Sequence, residues 1–181
     1  MSLNQVSIGA RIGALAALLL LVTALVGMLG WMAMRNSSQQ LEATHAMALE
    51  QQQAIDLARN AQVTFKVQIQ EWKNLLLRAH QPGAFDKYRE AFVKEGDAAA
   101  TRLSELEGLY GRLGLESTEV KATRVAIQAL QQTYLQALAG FDAADPVAAA
   151  RAVDQAVRGK DREPTARMDK LVTAVVDLSL T

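Results

Sequence analysis

The sequence predicts an all-α fold: an N-terminal transmembrane helix continuing into an antiparallel up-down-up-down four-helix bundle. Three observations carry this. Residues 12–34 hold no charged side chain. The rest is rich in alanine, leucine, glutamine, glutamate, lysine and arginine, which lose least on entering a helix. Turn signals fall between long stretches free of them, at HQPGAF (80–85), GLEST (114–118) and GFDAADP (140–146). No alternating, β-branched run suggests a strand.

The first element is IGALAALLLLVTALVGMLGWMAM, Ile12 to Met34. At about 1.5 Å of rise per residue, ~20 apolar residues cross a bilayer core. Arg11 and Arg35 bracket the run, and Trp31 stands where an indole suits the headgroup interface. A cleaved signal peptide has a shorter apolar stretch and a small-x-small cleavage site. Met32-Ala33-Met34 offers none, so an uncleaved anchor is expected, with residues 1–11 as a cytoplasmic tail. One arginine on each side leaves charge alone indifferent to orientation. Gly9 and Gly13, with Ala16, Ala17, Ala24 and Gly27, would permit close approach of a second membrane helix.

Residues 35–181 form the bundle. The first helix covers 36–79, a stretch without proline or glycine. In it Phe65, Ile69, Trp72 and Leu76 recur at helical spacing and mark a core seam. The second helix runs over 84–113, and Gly114 is its C-cap. The third covers 118–139 after Ser117 or Thr118 as N-cap. The fourth begins at Pro146 behind Asp145, a good N-cap before proline, and extends to 181 with a break at 159–164. Short connections favour antiparallel neighbours. Setting Ala79 level with Pro146 places Lys66 opposite Gly159, Arg59 opposite Ala166 and Thr181 opposite Thr44. The last helix then ends roughly 15 Å short of the membrane boundary at ideal rise. The chain therefore reads as single-pass, or as cut short of a second membrane helix.

Chemistry is sparse. There is no cysteine, which removes disulfides, thiolate metal sites, thiol nucleophiles and covalent haem attachment. Lysine plus arginine number 19 and aspartate plus glutamate 19, so no basic excess recommends nucleic acid. Glu42 and His45 make one ExxH spacing, but a di-iron bundle needs two and further glutamates. His80 lacks such a partner, and no Gly-rich phosphate loop occurs. No catalytic residues, metal or cofactor are expected, and the chain is not read as an enzyme.

What remains is a polar stripe beside the core seam. Lys66, Gln70, Lys73 and Asn74 lie on the first helix, and Arg158, Arg162 and Thr165 flank the break expected opposite. A break frees backbone polar groups, and the cations suit a small anionic ligand. The plainer alternative has these cations reaching water and pairing with Glu71, Asp154 or Glu163. Trp72 is expected in the core or a dimer interface rather than stacked on a ligand.

FKVQIQEWKNLLLR (65–78) and VRGKDREPTARMDKLV (157–172), with a membrane span before a four-helix bundle, resemble the sensory half of bacterial methyl-accepting chemotaxis proteins. The resemblance implies a homodimeric periplasmic sensor anchored in the bacterial inner membrane. It further implies a small ligand, or a periplasmic binding protein, bound near the dimer interface, and a piston-like signal down the last helix. In that family a second span, a HAMP linker and a cytoplasmic signalling region follow, and none is present in these 181 residues. The rival expectation is a single-pass helical adaptor with no small-molecule ligand.

Overall fold

The computed structural model describes residues 8–178. Among them lie five helices and no strand: α1 (Ile8–Arg78), α2 (Ala84–Arg112), α3 (Thr118–Leu138), α4 (Pro146–Val157) and α5 (Arg162–Leu178). The fold is all-helical, with an apolar N-terminal helix, in agreement with the sequence. Residues 1–7 and 179–181, with Thr181 and the first seven residues of the expected tail, lie outside the described residues, and residues 8–11 of that tail already belong to α1. The chain divides into two units, 1–48 and 49–181.

In the first unit, Ile8–Arg35 is long and apolar enough to cross a membrane. Its large side chains, Leu15, Leu21, Val26 and Leu29 among them, are exposed around the whole circumference. Apolar surface on every side has no stable place in water and suits lipid. Thr23 satisfies its hydroxyl within the helix, donating to the Leu19 carbonyl at 2.8 Å. The Arg35 guanidinium lies 5.9 Å from the Trp31 ring centroid, a cation–π pairing suited to a headgroup boundary.

In the second unit, α1, α2 and α3 run successively antiparallel, and α4 and α5 continue one another antiparallel to α1. Arg78 meets Tyr88 and Trp72 meets Phe92 across α1 and α2, while Glu107 meets Arg124 across α2 and α3. Of the expected seam, Phe65 and Trp72 are buried, joined by Leu75, against Phe92, Leu103, Ile127, Tyr134, Met168 and Leu171, while Ile69 and Leu76 pack half-buried at its edge. Trp72 is a core residue, 4% exposed. Its ring centroid lies 5.3 Å from Phe92 and 4.4 Å from Tyr134, so one aromatic layer ties α1, α2 and α3 together. At the distal end Phe85 and Phe141 close the bundle with centroids 4.6 Å apart.

The turns have local causes. Gly114 takes φ 68°, and Leu115 N–H donates to the Tyr110 carbonyl while Gly114 N–H donates to Gly111, the Schellman pattern. Asp145 caps α4 by accepting from Ala148 N–H at 3.0 Å, with Pro146 at the first helical position. Between α4 and α5, Arg158 is extended (φ −51°, ψ 121°), Gly159 is left-handed (φ 74°), and Lys160 N–H donates to the Val157 carbonyl. These are the angles and the bond of a type II turn. The interruption lies at 158–161, so Pro164 is outside it. Proline is tolerated in the first turn of α5, where its missing N–H has no partner to lose.

Burial raises the pKa of the Tyr134 phenol above its usual value, and the negative charges of Asp161 and Asp154 add to the shift. The folded state therefore holds this proton more tightly than the unfolded chain. That contribution is complete below the unfolded value of about 10 and is lost as pH rises beyond it toward the folded value. Thermal midpoints between pH 8 and pH 11 should fall above pH 10, and fall less steeply in Tyr134→Phe. Equal slopes in both proteins would contradict this.

Candidate functional site

The polar stripe of α1 separates: Lys73 faces a groove, while Lys66, Gln70 and Asn74 do not line it. Along α4, Val147, Arg151, Asp154 and Arg158 recur at helical spacing on a face adjoining that of Ala150, Val153 and Val157, which are buried. That outer face and the end of α1 enclose a groove of about 670 Å³. Leu76, Leu77, Pro146, Val147 and Ala150 make it mostly apolar, and Lys73, Arg151 and Arg158 supply three cations. His80 and Gln155 complete the rim, and Asp154 is its one carboxylate.

Leu77 and Val147 are 71% and 51% exposed, an apolar surface with nothing of the chain over it. Arg158 Nη2 lies 3.5 Å from Asp154 Oδ2, with both side chains largely in solvent. A pair so exposed is worth about 0.3–0.5 kcal/mol and is easily exchanged for another anion. The arrangement offers guanidinium forks to a carboxylate or phosphate and a greasy wall to whatever body that anion carries.

A family model described as "Tar ligand binding domain homologue" matches residues 2–177. The chain belongs to this family. One curated relative, the methyl-accepting chemotaxis protein CtpH of Pseudomonas aeruginosa, is 34% identical over 180 residues. The match covers 94% of this chain but 29% of the relative, so the chain spans under a third of that protein's length. No solved structure matches significantly. The family is one of ligand-binding domains rather than enzymes. Among the described residues of this Tar-type domain, no group of His, Cys, Asp or Glu side chains is placed to hold a metal ion.

Of the seven residues singled out in the sequence, the fold brings Lys73 and Arg158 together in the groove. The other five go elsewhere. Lys66 lies 3.6 Å from Asp169, not opposite Gly159, and Gln62 donates to the same carboxylate at 2.7 Å. The type II turn accounts for the offset: it uses residues without advancing the helix, so everything beyond it pairs nearer the C-terminal end of α1 than a steady rise would place it. Gln70 is exposed, and Asn74 donates to Glu71 of its own helix. Arg162 folds back over Gly159, where a Cβ would lie 3.5 Å from its Nε. Thr165 donates its hydroxyl to the Asp161 carbonyl at 2.7 Å. That bond closes the first turn of α5 and leaves the hydroxyl hydrogen committed.

Arg151, Asp154 and His80 are groove residues that the sequence pattern did not single out. The alternation of apolar and charged residues on the outer face of α4 was the available signal. A second omission lies in the core. Gln68 is fully buried and donates to Gln131 Oε1 at 2.9 Å, while Gln131 donates to Asp97 Oδ1 at 2.9 Å. The Asp97 carboxylate can only accept, which fixes the direction of both amides. The relay ends at Gln68 Oε1, buried and without a partner among protein groups. Gly96 makes room for it, since a Cβ there would overlap both amides.

Proposed function

We propose that this domain is the ligand-sensing module of a membrane-bound chemoreceptor, and that its ligand is a small anion held in the α1–α4 groove. The observation that carries the reading is the convergence of Lys73, Arg151 and Arg158 on a largely apolar, open groove of about 670 Å³. Family membership and the identity with a methyl-accepting chemotaxis protein support the sensory role. The apolar segment Ile8–Arg35 would anchor the module in the bacterial inner membrane, with the bundle in the periplasm. Signal passage would need a second span, a HAMP linker and a cytoplasmic region, which fits the share of the relative that this chain covers.

The module would act as a homodimer. Val63, Val67, Gln70 and Asn74 alternate at intervals of three and four along α1, the spacing of a helix–helix seam. Val63 and Val67 are 57% and 38% exposed, which a second copy of α1 would relieve. Gln70 and Asn74 then serve the seam as polar positions that set register, rather than the ligand.

Screening small anions by thermal shift tests the site. Removing one of two guanidiniums from a shared anion costs a charge-assisted hydrogen bond of about 1.5–3 kcal/mol, so Arg151→Ala or Arg158→Ala should weaken binding about tenfold or more. An adaptor protein would show no small-molecule stabilisation at all. Stabilisation that both variants retain in full would place the ligand elsewhere, such as a docked periplasmic binding protein's own site.

A further inference from the structure

The groove is not a plain anion site, because one carboxylate stands among its cations. Asp154 lies three residues after Arg151 and four before Arg158, on the same face of α4, and bonds Arg158 at 3.5 Å. We propose that the groove selects a monoanionic organic acid with an apolar body, and that Asp154 is the residue that turns dianions away. This rests on the reading of the groove as the ligand site and names the class of ligand it takes.

The groove has two chemically distinct regions. Leu76, Leu77, Pro146, Val147 and Ala150 form the apolar region at the distal end. Lys73, Arg151, Asp154 and Arg158 form the charged region, which lies earlier on α1 and later on α4. A ligand filling both must carry its charge at one end only. Each methylene it sets against the apolar wall tightens binding about fourfold, which an inorganic anion cannot gain.

The charged region disfavours a second negative group. One carboxylate can replace Asp154 on the Arg158 fork, because the exposed pair it displaces is weak. Asp154 then remains beside the bound anion, and a second anionic group within several ångströms of it is repelled. At the dielectric of a partly exposed site this repulsion amounts to about a tenfold loss of affinity. Three cations against one carboxylate leave a net attraction for a single charge.

Isothermal titration of the full chain in lipid nanodiscs with benzoate, acetate, succinate and inorganic phosphate at pH 7.5 tests the proposal. Benzoate should bind at least tenfold more tightly than each of the other three. Asp154→Asn should raise the ratio of succinate to benzoate affinity about tenfold. Leu77→Ser, at a position 71% exposed and so outside the folding core, should weaken benzoate several-fold more than acetate. Circular dichroism of both variants confirms that the bundle is intact. Succinate or phosphate binding the unaltered chain more tightly than benzoate would overturn the proposal and leave the groove as a site. An unchanged ratio in Asp154→Asn would do the same. Failure of all four anions to bind would overturn the groove reading itself, and this proposal with it.

Discussion

Trp72→Ala is expected to lower the thermal midpoint of the bundle by about 10 °C or more. The indole is 4% exposed and touches rings from two other helices, Phe92 on α2 and Tyr134 on α3. Phe92 and Tyr134 are themselves nearly parallel with centroids 5.9 Å apart, so removing the indole takes one side from both. Burial lost from a large aromatic side chain, with the cavity it leaves, costs about 3–5 kcal/mol. At about 2–4 °C per kcal/mol for a domain of this size, that gives the stated shift. Trp72→Phe should recover roughly half. A midpoint unchanged in Trp72→Ala would mean that the aromatic layer does not hold α1 to its neighbours.

Gly96→Ala tests the buried relay, and here the sign decides. Alanine inside a helix is worth about 1 kcal/mol over glycine, so propensity alone predicts a more stable protein. The structure predicts the opposite. A Cβ at 96 would overlap Gln131 Oε1 and Gln68 Nε2, and the two amides can only make way by parting. A buried amide left without its bond costs about 1–3 kcal/mol, and two are affected. The net loss is then about 1–5 kcal/mol, read as a lower midpoint in thermal or urea unfolding. In a Gln68→Ala/Gln131→Ala background the overlap is gone, and the same substitution should turn neutral or stabilising. Stabilisation in the unaltered background would show that the relay is not a constraint.

These two positions show what was legible in the sequence and what was not. Trp72 could be assigned to the core because Phe65, Ile69 and Leu76 share its face, and periodicity reports burial directly. Helix ends were equally legible where chemistry is local: Gly114 in its left-handed cap, Asp145 before Pro146. Gln68 lies on the buried side of the same helix, yet its side chain is polar and reads as surface. Its burial depends on Gly96, Asp97 and Gln131, which come from two other helices, and no local pattern couples them. The groove was half legible for a related reason. Lys73 and Arg158 could be brought to one region because the first and fourth helices were expected side by side. The count, however, set Arg158 level with Val67 and assumed a helix that rises steadily through residues 158–161. The turn at Gly159 removes that rise, so Lys66 meets Asp169 and the residues beyond the turn, Arg162 and Thr165, fall away from the groove. Arg151 and Asp154 precede the turn and were passed over because charges on an amphipathic helix read as a solvated face. One residue in the left-handed region is enough to shift every pairing beyond it.

The most direct test of the central claim is a ligand-bound structure of the domain. It should be solved with the tightest anion from the thermal-shift screen. The account predicts electron density for that anion between α1 and α4, with its charged end within about 3 Å of Arg151 or Arg158. Its body should lie against Leu77 and Val147. Density for the anion anywhere that leaves Lys73, Arg151 and Arg158 in solvent would contradict the account.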